Sequence, residues 1–410
     1  MRTYDYVIIG GGLAAASAVD GIREVDAEGS IAVFSDEPDP PYHRPPLSKE
    51  YLQAPQASRE LLYVKPSDWF EEQSGLTLFT ETPVEKLDAG ELLVHPADGD
   101  PVRAGRILLA TGGRPRTLAI PGSDLKGVFT LRTAADAEAI REAAGEAGRA
   151  LLVGGGFIGM ELASTLRKLE IDPLVVEIED RVWSKVFPEA VSGFLQGYFE
   201  ERGVPFLLGS AVREFEGEDR LESAVMDDGE EVAIEVAVVG VGIDPAVELA
   251  ADAGLGVQDG VAVDAYGETT TAHVYATGDI AQYPDPVFGD RARTEHWDHA
   301  KAHGRLVGRN MAGARDPYEH LSYYFTHVFD LSINVIGRTA GADDVVVSGE
   351  LGSGRSIVYC ATDDRLSGII MINANDALDR CRELVRARPR MPDLLETLES
   401  PDTELGELVG

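Results

Sequence analysis

Two stretches of the chain repeat one pattern of apolar and polar positions. YVIIGGGLAAASAVDGIRE (6–24) leads into IAVF (31–34) and then Asp36, and ALLVGGGFIGMELASTLRK (150–168) leads into PLVV and then Glu177. Each predicts an apolar strand, a glycine turn, a helix and a second strand closed by an acid. Gly10 and Gly154 stand 144 residues apart, so the chain repeats one nucleotide-binding unit. Two further apolar runs, RILLATGGRPR (106–116) and HVYATGDIAQY (273–283), also end in glycine turns. Residues 84–110 and 204–243 alternate short strands with turns. From about residue 320 the pattern becomes alternating β segments: FDLSINVIGRT, DDVVVSGEL, RSIVYCATDD and RLSGIIMIN. A helix, NDALDRCRELVRARP, follows them. The fold predicted is α/β: two Rossmann-like dinucleotide-binding domains plus a C-terminal α+β domain. The first domain is discontinuous, 1–117 with 243–319; the second spans 118–242 and the third 320–410.

One stretch breaks the pattern. In PYHRPPLSKEYL (41–52) three prolines crowd Arg44 and Lys49. Each proline removes a backbone donor and fixes φ, which predicts a stiff, irregular loop.

The glycines of a dinucleotide loop have separate tasks. The first permits the tight turn, the second lets backbone N–H groups approach the pyrophosphate, and the third lets helix pack on strand. Gly154, Gly156 and Gly159 fill the three places in the second loop. In the first they are Gly10, Gly12 and Ala15, alanine still being small enough. Glu177 lies 23 residues after Gly154, where a carboxylate accepts a ribose 2′-OH and repels a 2′-phosphate. That predicts NADH over NADPH, with Arg181 nearby as the opposing sign. Asp36, or its neighbour Glu37, takes the equivalent place after the first loop.

Composition narrows the partners. The net charge is −35, with 71 acidic and 36 basic residues, of which seven are lysine. Such a surface repels nucleic acid and reads as the solvated acidic surface of a salt-adapted protein. No apolar run approaches the ~20 residues of a membrane span, and no signal peptide is visible, so a cytoplasmic location is expected. Cys360 and Cys381 are the only cysteines and form no CxxC pair, so no disulfide framework is expected. His299 and His303 are spaced i, i+4, as metal ligands can be. No third ligand is apparent, so no metal is expected and the pair reads as a polar helix face.

Two loops in register imply two cofactors, FAD and NAD(H). The architecture resembles the FAD-dependent pyridine nucleotide-disulfide oxidoreductase superfamily, with ATGGRPR (110–116) and YATGDIA (275–281) similar to two further signatures of its FAD domain. PYHRPPLSK resembles the segment of the ferredoxin reductase and apoptosis-inducing-factor-like branch. There the arginine approaches the FAD phosphates and the lysine lies beside the flavin ring, paired with a glutamate; the positions here are Arg44, Lys49 and Glu161. A cation at that edge stabilises negative charge on reduced flavin. RTEHWDHAKAHGRLVGRNMAG (293–313) is similar to the helix that meets the flavin pyrimidine end. By this resemblance the catalytic residues are Lys49 and Glu161. FAD contacts would come from Gly10, Gly12, Leu13, Ala14, Ala15, Asp36, Glu37, Arg44, Pro45, Lys49 and Val84. Ala110, Thr111, Gly112, Arg116, Gly278, Asp279, Glu295, His296 and Trp297 would complete that set, with Asp279 on the ribityl chain. NAD(H) contacts would come from Gly154, Gly156, Phe157, Ile158, Gly159, Glu161, Glu177, Val241 and Gly242. The domains 1–117 with 243–319 and 118–242 would hold FAD and NAD(H) respectively.

Disulfide-reducing relatives keep a redox-active cysteine near the flavin. This chain has none before residue 360, so thiol chemistry is excluded and electrons leave the flavin directly. The resemblance implies hydride transfer from NADH to flavin and onward transfer to ferredoxin or rubredoxin. Two other readings stay open: reduction of small acceptors (monodehydroascorbate, quinone, oxygen), or an apoptosis-inducing-factor-like NADH sensor. YFTHVFDLSINVIG (324–337) departs from the ferredoxin reductase motif and is nearer that of monodehydroascorbate reductases. Phe325 and Thr326 align with the Trp–Ser pair of the ferredoxin reductase motif, and Tyr324, Phe325 and His327 read equally as acceptor-side residues or core aromatics. Two basic clusters are docking candidates or solvated faces: Arg380, Arg382, Arg386, Arg388 and Arg390; and Arg291, Arg293, Lys301, Arg305 and Arg309. A homodimer is compatible with the sequence.

Overall fold

In the computed structural model, which describes residues 1–399, the chain folds as two compact units. Met1–Arg44, Ala57–Arg114 and Ile243–Ser322 make the first; Pro45–Gln56, Pro115–Gly242 and the chain from Tyr323 make the second.

The sheet of the first unit orders its strands Leu76–Phe79, Ile31–Phe34, Arg2–Ile9, Val102–Leu109, Leu93–Pro96 and Val84–Asp88, and Val274–Ala276 adds to Val102–Leu109. Its centre is parallel, with Ile9 paired to both Phe34 and Leu109. Parallel strands are covered on both faces and therefore read as unbroken apolar runs; all four residues of Ile31–Phe34 are buried. The first-loop helix, Leu13–Val25, packs against the helix Trp297–Met311. Small residues permit that approach. A Cβ on Gly304 would sit 2.4 Å from the Ala14 carbonyl oxygen, and one on Gly308 2.1 Å from that of Ala18.

In the second unit five parallel strands are ordered Phe206–Leu208, Asp172–Glu177, Arg149–Val153, Val236–Val239 and Val128–Thr130. The second-loop helix is Phe157–Lys168. An antiparallel sheet follows, ordered Tyr323–Val328, Leu331–Gly337, Arg365–Ile372, Ser356–Thr362 and Asp344–Gly349. The helix Leu378–Ala387 covers it and buries Cys381, Leu384 and Val385. Both thiols are buried, which pushes Cys360 up to about 12 and Cys381 to about 11.

Three features differ from the sequence reading. The proline-rich stretch is a 3₁₀ turn, Pro45–Ser48, running into a short helix, Glu50–Gln53. Proline is tolerated at the start of a helical turn, where its missing N–H would have no partner. Second, Pro45–Gln56 belongs to the second unit rather than the first. Tyr51 donates to Glu138 at 2.7 Å, and Arg141 donates to the carbonyls of Tyr51 and Ala54. Third, Met391–Glu399 form a further helix, with Met391 and Leu394 buried, that the sequence pattern did not predict. Residues 400–410 lie outside the described residues.

Candidate active site

The two glycine loops share one geometry. Gly10 and Gly154 have φ of +118° and +108°, and a Cβ there would meet the carbonyl oxygens of Ala110 at 2.2 Å and Gly240 at 2.6 Å. Gly159 packs against the Gly154 carbonyl, where a Cβ would come within 1.9 Å; Ala15 stands fully buried at the same place in the first loop. Neither helix has a side-chain cap or an acid in its first turn, so neither competes with a ligand for the N–H groups of Leu13–Ala15 or Phe157–Gly159. A Cβ on Gly12 or Gly156 would meet nothing within 4 Å. Free donors, a positive dipole end and open space over the loop are what a pyrophosphate requires, so both loops fit a dinucleotide.

The acids after the strands are held differently. Glu177 accepts from the Gly155 N–H at 2.5 Å and from the Glu179 N–H at 3.0 Å, so its carboxylate sits over the second loop. After the first loop the engaged acid is Glu37. It pairs with Arg44 at 2.6 Å and accepts from the Tyr42 hydroxyl at 2.5 Å. The Ser35 hydroxyl accepts from the Glu37 N–H and closes a turn that leaves Asp36 exposed. Arg44 thus meets a carboxylate of its own chain.

The other first-unit positions fall on turns around that loop. The Thr111 hydroxyl donates to the Ala246 carbonyl at 2.7 Å, next to buried Ala110 and to Gly112 at φ +67°. Gly278, at φ +69°, faces Ala14, and the Asp279 carbonyl accepts from Arg293. Glu295 is exposed and paired with Arg293 at 2.5 Å. His296 begins the Trp297–Met311 helix, and desolvation pushes its imidazole down to about 4. The Trp297 indole donates to His43 Nδ1 at 2.9 Å. Val84 is half-buried at the start of its strand. In the second unit the Arg116 N–H donates to the Gly242 carbonyl beside half-buried Val241. Phe157 packs edge-on against Tyr324, with centroids 5.3 Å apart.

Lys49 and Glu161, 112 residues apart in sequence, meet within the second unit. Lys49 Nζ lies 2.6 Å from Glu161 Oε2, with side chains 10% and 7% exposed. The prolines give Lys49 its place: its ammonium also donates to the Pro45 carbonyl at 3.1 Å, across the 3₁₀ turn. Sequence reasoning missed Ser48, whose hydroxyl donates to the same Oε2, and gave no role to Thr326, whose hydroxyl donates to Oε1 at 2.7 Å. Only position beside Lys49 could have pointed to Ser48.

His299 and His303 do not form a polar helix face. Both are fully buried, ringed by Tyr283 and Tyr318, and burial pushes His303 down to about 3 and His299 well below its ordinary value. The His299 ring stacks on Tyr283, and its Nδ1 lies 2.8 Å from the Tyr318 hydroxyl. Among the described residues no group of three or more His, Cys, Asp or Glu could hold a metal ion.

Two glycine-loop nucleotide folds, a lysine–glutamate pair on the second and no cysteine near either define a pyridine-nucleotide flavoprotein reductase without a thiol relay. A model of the pyridine nucleotide-disulphide oxidoreductase family matches residues 4–304 and one described as reductase C-terminal matches 323–409. The chain belongs to this family, in its ferredoxin reductase branch, and FAD and NAD(H) are its cofactors. It is 34% identical to rhodocoxin reductase of Rhodococcus erythropolis, over 90% of this chain and 86% of that protein. It is 32% identical to the ferredoxin–NAD(+) reductase subunit of a Pseudomonas putida benzene 1,2-dioxygenase system, over 93% and 92% of the two chains. The ferredoxin reductase for the CYP199A2 system of Rhodopseudomonas palustris superposes with a TM-score of 0.93 at 29% identity, covering 99% of this chain and all of that one.

Proposed function

We propose that this protein is an NADH-dependent reductase that delivers electrons singly to a ferredoxin-type protein in the cytoplasm. The observation that carries the reading is the buried Lys49–Glu161 pair on the second-loop helix, in a chain with no cysteine before residue 360. FAD, when bound, takes a hydride from NADH and returns two electrons one at a time. The residues supply the rest. The N–H groups of the two glycine loops bind the pyrophosphates. Glu177 accepts the ribose 2′-OH of NADH and repels a 2′-phosphate. Lys49, held in place by Glu161, sets its ammonium where negative charge develops in the hydride transfer. Among the described residues no helix is long and apolar enough to cross a membrane, in keeping with a protein partner in solution.

The test is anaerobic mixing of the FAD-loaded protein with NADH or NADPH, followed by oxidised ferredoxin, rubredoxin, quinone or monodehydroascorbate. NADH should bleach the flavin faster than NADPH, and ferredoxin should reoxidise it fastest. A flavin that NADH leaves oxidised, or that a small acceptor reoxidises faster than either iron protein, refutes the reading.

A further inference from the structure

Glu161 receives more donors than an ion pair needs. Besides Lys49 Nζ at 2.6 Å, the Ser48 hydroxyl donates to Oε2 and the Thr326 hydroxyl to Oε1 at 2.7 Å. Both hydroxyls are buried, with Ser48 2% and Thr326 1% exposed. Ser48 is fixed in turn, because the Thr165 hydroxyl donates to its carbonyl at 2.8 Å.

Thr326 comes from a distant part of the chain, the first strand of the C-terminal sheet. That strand and its turn are fastened along the second-loop helix. Phe157 packs on Tyr324; Ser164 Oγ accepts from the Phe329 N–H at 2.6 Å; Lys168 Nζ donates to the Phe329 carbonyl at 3.2 Å. Positions 157, 161, 164 and 168 recur at helical spacing and share one face. Tyr324 and Thr326 are two apart and share one face of the strand. The seam therefore brings Thr326 to the carboxylate by register, with Phe157 and Ser164 fixing it on either side.

A glutamate carboxylate turns about a broad, soft terminal torsion, so one ammonium alone does not fix its orientation. The nearby His327 imidazole feels Lys49, Glu50, Glu161 and Lys168 electrostatically.

We propose that Thr326 and Ser48 are positioning residues for hydride transfer: their hydroxyls hold the Glu161 carboxylate in one orientation, which keeps Lys49 in place. The C-terminal domain thereby contributes to the NADH half of the reaction. This inference rests on the reading of the chain as an NADH-to-flavin reductase.

The experiment compares FAD-loaded wild type with Thr326→Val, Thr326→Ser and Ser48→Ala. It measures flavin reduction by NADH, the NADH concentration for half-maximal rate, and the midpoint potential of the bound flavin. Thr326→Val and Ser48→Ala should slow reduction on the order of tenfold to a hundredfold, the cost of a slight misplacement, with half-saturation little changed. The flavin potential should fall, because Lys49 is held less closely. Thr326→Ser keeps a hydroxyl and should restore both rate and potential. Should Thr326→Val not fold, Ser48→Ala carries the same test. The inference is overturned if the rate and potential of the folded variants match wild type, or if Thr326→Ser behaves like Thr326→Val. Wild type that NADH fails to reduce would instead sink the functional reading.

Discussion

At the scale of single residues, Lys49 and Glu161 are the most consequential pair in the second unit. Taking one charge from a buried pair leaves the other uncompensated, at a cost of about 3–5 kcal/mol. Glu161→Gln should lower unfolding stability by about that much in urea titration and slow flavin reduction by NADH, because Lys49 loses its counter-ion. Lys49→Met should keep FAD yet also slow the hydride step; stopped-flow rates equal to wild type would refute its role. Glu177→Ala removes a carboxylate opposed to a 2′-phosphate, and should narrow the NADH-over-NADPH preference by about tenfold, or ~1.4 kcal/mol. His303 gives a pH signature. Its imidazole is held near 3 in the folded protein, against about 6.5 when unfolded. Between those values only the unfolded chain binds the proton, so stability is full above about 6.5 and is lost as pH falls through the window. His303→Leu should flatten that fall by ~1.4 kcal/mol per pH unit, read from urea midpoints at pH 6 and pH 4. The glycine turns were legible from spacing, and the meeting of Lys49 with Glu161 from the resemblance alone. Ser48 and Thr326 as donors were not, because one hydroxyl in sequence resembles any other until a fold brings a carboxylate to it.

At the scale of elements, the glycine turns and their flanking strands and helices could be read because each carries its own local signal. The 3₁₀ turn at Pro45–Ser48 could not, since prolines that forbid a helix interior are compatible with its first turn. The allegiance of that turn was equally hidden. It is fixed by Thr165, Glu138 and Arg141, residues far away in sequence. The crossing of Leu13–Val25 with Trp297–Met311 shows how little space an element interface leaves. Gly308→Ala would put a methyl group 2.1 Å from the Ala18 carbonyl oxygen, and backbone cannot give way as a flexible side chain can. We expect it to lose about 1–3 kcal/mol of stability and to release FAD more readily, measured as flavin fluorescence on dilution.

At the scale of the whole molecule, charge sets the terms of docking. With a net charge of −35, an acidic ferredoxin is repelled except where cations gather. The cluster around the Trp297–Met311 helix is largely spoken for: Arg293 pairs with Asp259 and Glu295, and Arg305 and Arg309 pair with Glu24. In the C-terminal cluster Arg380, Arg386 and Arg390 are exposed, with Arg390 3.4 Å from Asp364, and this second group of cations is the other candidate contact. Ferredoxin turnover should therefore fall with added salt, which shortens the screening length, and with Arg386→Glu; salt-independent turnover would count against electrostatic docking. Net charge was plain in the sequence, whereas which arginines are neutralised depended on acids from distant segments. The two thiols carry a different consequence. Both are buried and resist ionisation, so reagents that seek a thiolate will find neither. A cysteine introduced at exposed Leu61 would then be the sole fast-reacting thiol on the protein. The native chain is already a blank background for attaching a single spectroscopic label, an electrode tether or a cross-linker.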